Sequence, residues 1–261
     1  MHLRITHQTN YSYESRVRHS VQYLRMTPWN MLHQQVLGWN LFLPSVGHVI
    51  SDGFNNTLTT LIRSEAHDNL QIMASGEVMI DDSIQNLPVS LTHPMVFLSQ
   101  TTLTEPTPAM LDFANATLKN ARSRSAFEEL SAALLQKVTY TPGSTNVQTT
   151  AEESFERGQG VCQDHAHLMI GMARALQTPA RYVSGYLYDS SNEHLQSHAW
   201  AELWIDEAWY TFDVSNQLYS PSRHVYVAFG RDYQDAAPLR GTRTGGGVEL
   251  MRSEVKVERL A

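Results

Sequence analysis

The chain opens on a period of two. Leu3 and Ile5 alternate with polar neighbours, as do Val21 and Tyr23 within Ser20–Arg25, the pattern of half-buried strands. Further apolar runs at Trp39–Leu43, Leu58–Ile62 and Leu70–Met73 are broken by Pro44, Gly47, Gly53-Phe54-Asn55-Asn56 and Asp68-Asn69. Strands punctuated this often predict a β-sandwich or small barrel over residues 1–85. Its histidines (His2, His7, His19, His33, His48 and His67) are scattered and read as surface or packing positions. From Asp81 the pattern fades among Pro88, Pro94, Pro106 and Pro108, so residues 86–106 read as a linker.

The period then becomes helical. Thr107-Pro108 is an N-cap followed by proline at the first helical position, and Met110, Leu111, Ala114 and Leu118 form one stripe. A second helix carries Phe127, Leu130, Leu134 and Val138, with Ser125 and Glu128 spaced as a capping box. A third, short helix opens with Thr150 and Glu153 in the same relation and stops at Gly158. A fourth runs from about Val161 to Gln177, with Ala166, Met169, Ile170 and Ala173 as its buried face. Strands follow at Arg181–Leu187, His198–Ile205 and Ala208–Asp213. If Asp206-Glu207 form a two-residue hairpin loop, Ile205 faces Ala208, Leu203 faces Tyr210 and Trp200 faces Asp213, which makes His198 and Asp213 diagonal neighbours. After Gly230 the chain reads as loop, with Gly245-Gly246-Gly247, until a last alternating strand at about Val248–Val257. The fold class is therefore α+β, with residues 107–261 forming the second unit.

Composition adds exclusions. The net charge is −7 and there is no Lys/Arg cluster, which argues against nucleic acid or an anionic membrane as partner. No apolar run reaches the roughly 18 residues that span a bilayer, and the start lacks a signal-peptide core. A single cysteine in 261 residues forms no internal disulfide, so the cytoplasm is the default expectation.

That cysteine, Cys162, falls in the first turn of the fourth helix, where unpaired N–H groups and the positive end of the dipole favour a thiolate. A cysteine nucleophile needs a base, and the base needs an acceptor to fix its tautomer. Cys162, His198 and Asp213 supply those roles in that order. Tyr140, Asp164 and Trp200 are candidate oxyanion or pocket residues. Asp164 and His167 also read as anchors of the helix start, and Arg231 with Asp232 as a structural ion pair. A metal site drawn from Cys162, His165, His167, His194, His198 and Asp213 is disfavoured: the stretch lacks the glutamate of a His-Glu-x-x-His helix and a second cysteine. No metal or cofactor is expected.

Gly160-Val161-Cys162-Gln163-Asp164-His165-Ala166-His167, Pro179–Tyr186, Ser197-His198-Ala199-Trp200 and Gly230–Pro238 closely resemble the bacterial transglutaminase-like family. The resemblance is strong over about residues 140–240. It implies a papain-like core behind a β-rich N-terminal domain, whose Asp-x-Phe-Gly-Asn turn is similar to Asp52-Gly53-Phe54-Asn55-Asn56. By position it carries the nucleophile to Cys162, the base to His198 and the orienting acid to Asp213. His165 stands where the family usually has an aromatic residue, and Asp213-Val214-Ser215-Asn216 replaces Asp-Pro-Thr-Asn. The resemblance implies a cysteine protease or amidase acting on a peptide or protein substrate, with transamidation as the alternative and a non-catalytic peptide-binding relative as a second. The oligomeric state stays open.

Overall fold

The computed structural model describes residues 1–88, 91–190, 194–195 and 197–260. The N-terminal part is built along one long strand, β1 (His2–Leu24), followed by β2 (Gln34–Phe42), β3 (Gly47–Ser51), β4 (Thr57–Arg63) and β5 (His67–Ile80). Helices α1 (Pro108–Leu118) and α2 (Arg124–Lys137), the short strand β6 (Thr139–Tyr140), α3 (Ala151–Arg157), β7 (Gln159–Gly160) and α4 (Cys162–Ala175) come next. The chain ends with β8 (Ala180–Leu187), β9 (His194–Leu195), β10 (His198–Ile205), β11 (Ala208–Phe212), β12 (His224–Gly230), α5 (Tyr233–Ala236), β13 (Leu239–Gly245) and β14 (Glu249–Arg259). None of the described helices is long and apolar enough to cross a membrane.

The first half of β1 lies between β5 and β14: Ile5 faces Gly76 on one side and Val257 on the other. Its register breaks between Ser12 and Val17, and its second half lies between β4 and β13, with Gln22 facing Leu61 and Gly241. One strand thus serves both leaves of the sandwich-like unit, turning the corner as strands that switch sheets do. The leaves close on Tyr11, Tyr13, Val17, Leu61, Leu70 and Ile72.

The last strand falls where the sequence places it, but the pairing of the last two strands differs from the sequence reading. Residues 107–261 read as one unit, but β13 and β14 return to pair with β1. Strand β13 was legible only as loop because nearly all its positions are exposed, leaving no apolar alternation. Strand β12, whose seven residues are all buried, was also unread. The linker is packed rather than loose. Leu87 exchanges backbone hydrogen bonds with Trp209 at 2.9 and 2.8 Å, and Phe97 is buried on a short 3₁₀ turn, Pro94–Leu98. The fully buried Arg174 of α4 ties this region down, donating to the carbonyls of Phe97, Ala180 and Arg231.

Two caps match the sequence and one does not. Thr107 caps α1, and Thr150 and Glu153 form a complete capping box on α3, which ends on Gly158 with φ +65°. The cap of α2 is Ser123, whose Oγ accepts from Ala126 N, so Ser125 and Glu128 are not its box. Glu128 instead accepts from Arg124 Nε at 2.8 Å.

The second sheet runs β11-β10-β8-β12, all antiparallel. Helix α4 packs on β8 and β10, and α1, α2 and α3 enclose it. Its burial is close to total after Cys162, which is why the apolar stripe read from the sequence understates it. Gly171 has no room for a side chain, since a Cβ there would collide with the Thr104 carbonyl of the linker. The Asp206-Glu207 loop is as expected: both residues have positive φ, at +47° and +61°, as a two-residue hairpin of this hand requires. Ile205 faces Ala208 and Leu203 faces Tyr210.

Candidate active site

Cys162 is the first residue of α4. Val161 before it is extended, and its N–H donates to Asp164 Oδ2 at 2.7 Å. Thr145 Oγ1 donates to the same oxygen at 2.6 Å, fastening the loop before α3 to the helix start. Gly160 is required here, because a Cβ would lie 2.8 Å from Asp164 Cβ. The first intrahelical bond is His165 N–H to the Val161 carbonyl, so the N–H groups of the first turn, Cys162 among them, have no partner within the helix.

The hairpin register brings His198, at the head of β10, to Asp213, just past the end of β11. His198 Nε2 donates to Asp213 Oδ2 at 2.8 Å, which leaves Nδ1 as the ring nitrogen free to serve Cys162, the residue that shares the cavity wall with it. Asp213 bonds its backbone to Leu218 rather than to a β10 residue, so the Trp200 pairing read from the sequence is replaced by a turn. That turn supplies Asn216, whose Nδ2 donates to Asp213 Oδ2 at 2.9 Å and whose backbone N–H donates to Oδ1 at 3.3 Å. His224 Nε2, from the head of β12, donates to Oδ2 at 3.1 Å.

These contacts set the charges. Burial presses the His198 imidazole down, but the adjacent Asp213 carboxylate and the Cys162 sulfur outweigh it and raise its pKa to about 10. Burial would raise Asp213, yet the imidazoles of His198 and His224 hold its carboxyl far below the usual range. His224 is fully buried and pushed down, so it stays neutral. At neutral pH the centre is an imidazolium–carboxylate pair, with a second, uncharged imidazole on the same oxygen.

Cys162 and His198 open into a cavity of about 580 Å³, with Tyr140, Asp189, Ser215 and Asn216 also in its wall. Tyr140 is half exposed, and burial followed by the Cys162 and Asp213 charges raises its pKa. Of the other two pocket candidates, Asp164 is buried beneath the helix start and absent from the cavity wall. Trp200 is also buried, packed against the rings of His198 and His224 at 5.9 and 4.6 Å between centroids. His165 bonds to Ser215 Oγ at 2.8 Å and to the Val138 carbonyl at 2.7 Å, a staple behind the wall. His167 accepts from Tyr233 N–H, away from the cysteine. Arg231 pairs with Asp235, while Asp232 caps α5, so the expected Arg231–Asp232 pair does not form.

Of the ligands weighed for a metal, Cys162, His198 and Asp213 lie together, His165 and His167 are turned to other partners, and the His194 side chain lies outside the described residues. His198, Asp213 and His224 do converge, with ligand atoms within 4.8 Å of one another, but the 2.8 and 3.1 Å separations are those of hydrogen bonds to one oxygen. Sequence reasoning missed His224 and assigned Asn216 no role. The seven-residue run His224–Gly230, bounded by Pro221 and Gly230, carried a buried-strand signal that would have placed the first.

Fold and site together define a transglutaminase-like core joined to a β-rich N-terminal region. The chain carries a transglutaminase-like superfamily core, whose model matches residues 112–214, behind a bacterial transglutaminase-like N-terminal region, whose model matches residues 3–79. The matched core contains Cys162, His198 and Asp213. An uncharacterized protein of Mycobacterium leprae is 27% identical over 99% of both chains. One of Mycobacterium tuberculosis is 28% identical over 91% of this chain and 86% of its own. A crystal structure of a candidate cysteine protease from Cytophaga hutchinsonii superposes with a TM-score of 0.81 at 23% identity, covering 100% of this chain and 91% of that one; the likeness is one of fold.

Proposed function

We propose that this protein cleaves amide bonds of a peptide or protein substrate through a Cys162–His198–Asp213 triad and an acyl-enzyme intermediate. The observation that carries the reading is the 2.8 Å hydrogen bond from His198 to Asp213, with His198 and Cys162 side by side in the wall of one open cavity. The Cys162 thiolate attacks the carbonyl carbon, and the oxyanion forms beside the unpaired N–H groups of the α4 start, with Tyr140 as the second donor. The His198 imidazolium gives its proton to the leaving amine, then takes one from the water that resolves the thioester. Asp213 holds His198 throughout. No nucleic acid or membrane enters this scheme.

Hydrolysis is favoured over transamidation because the cavity is open to solvent, and water is then the acceptor in excess. Incubation with glutamine-containing peptides, with and without a primary amine, separates the outcomes by product mass. Backbone cleavage or deamidation supports hydrolysis, whereas amine incorporation with neither would replace it by transamidation. A Cys162→Ala protein that turns substrate over at the native rate would overturn the thiol mechanism.

A further inference from the structure

We propose that His224 is a positioning residue of this site: it fixes the Asp213 oxygen that His198 uses, and the N-terminal unit fixes His224 in turn through β12. The proposal rests on the reading of Cys162, His198 and Asp213 as the reacting centre.

The ring chemistry comes first. Because Asp213 Oδ2 is a carboxylate oxygen, His224 Nε2 at 3.1 Å must carry the proton. His224 Nδ1 is buried without a partner, which costs least when it is bare. The ring is therefore a neutral donor. A lysine or arginine in its place would bring a competing positive charge and weaken the hold of Asp213 on the His198 imidazolium. A neutral N–H instead fixes the oxygen while leaving its charge for His198. The charged and titratable groups that face His224 are Asp213, His198 and Glu202 of the core and His33 of the N-terminal unit. The Glu202 charge is taken up by Arg181 at 2.6 Å.

The seat of His224 is built from the other half of the molecule. Strand β12 is an edge of the second sheet, and its outer backbone groups need partners. Gln34 pairs with the N–H and carbonyl of Tyr226 at 2.8 and 2.9 Å. Asn56 pairs with both groups of Phe229 at 2.7 Å each. His33 Nε2 reaches the carbonyl of His224 itself at 3.3 Å. Two side-chain amides and an imidazole thus stand in for a missing strand.

If packing against Trp200 were all that is asked of the residue, phenylalanine would serve. The test is alkylation of Cys162 by a haloacetamide, followed by intact mass from pH 4 to 9, in the full chain and in His224→Phe and His224→Gln, with circular dichroism confirming the fold. Glutamine places an N–H donor near the position of Nε2. His224→Phe should move the acid limb of the rate profile up by about one pH unit, the scale of one hydrogen bond to a charged group. His224→Gln should restore it. A folded His224→Phe protein with the native profile, or Phe and Gln variants with equal defects, would overturn the positioning role. If the native cysteine itself titrates as a free thiol and is indifferent to His198→Ala, the triad reading fails first.

Discussion

The amide of Asn56 closes both hydrogen bonds of the Phe229 peptide group, at 2.7 Å to N–H and 2.7 Å to the carbonyl. Asn56 sits in the turn Asp52–Asn56, where Asp52 Oδ1 accepts from the N–H groups of Phe54 and Asn56, and Oδ2 accepts from Arg25. The turn quoted for its family resemblance is thus the clamp by which the first unit grips the second.

Asn56→Ala should cost about 2–4 kcal/mol of stability, because it strands two buried backbone groups at once. Urea unfolding of native and variant chains measures the loss. A midpoint that barely moves would mean that water replaces the amide.

Asp164 should behave as a fastener and not as a reacting group. Asp164→Asn keeps an acceptor for Val161 N–H and Thr145 Oγ1 and should leave turnover within a few fold of native. Asp164→Ala removes it and should lower stability by about 1–3 kcal/mol. Thermal melts paired with peptide turnover distinguish the two, and an Asn variant that is folded and inactive would assign Asp164 a chemical role.

Cys162→Ala should abolish turnover while shifting the melting temperature little, since the cysteine is only partly buried at the edge of the core. Circular dichroism and mass-detected peptide turnover on one preparation check both halves.

Stability should fall between about pH 6.5 and pH 4. Burial lowers the pKa values of His7 and His33 to about 4 and that of His167 to about 3. The unfolded chain therefore takes up these protons in that window before the folded one does, and each full proton of difference is worth about 1.4 kcal/mol per pH unit. His198 works the other way. Raised to about 10, its contribution is fully present below its unfolded pKa near 6.5 and is lost as pH rises through about 10. Asp213, held low by His198 and His224, contributes above its unfolded pKa near 4 and loses that only in stronger acid. Melting temperature measured every half unit from pH 4 to 10 should rise, level off and then decline. His167→Gln should flatten the rise, and an unchanged acid slope in that variant would exclude His167 as a source.

The local sequence determined whatever a short stretch of chain settles with its own atoms. Thr107, Thr150 and Glu153 cap helices because the N–H groups they satisfy lie within three residues of them. The two-residue Asp206-Glu207 loop leaves one register for β10 and β11, and with it the approach of His198 to Asp213. Cys162 at the first turn of a helix was legible for the same reason. The tertiary structure alone decided that β14 lies beside β1, that β13 forms a strand at all, and that His224 reaches Asp213. Strand β13 has almost no buried face, so only its backbone bonds to β1 define it. His224 and Asn56 act through partners on other elements. The hydrogen bonds and burial that fix such groups come from segments distant in sequence, and no local period records them.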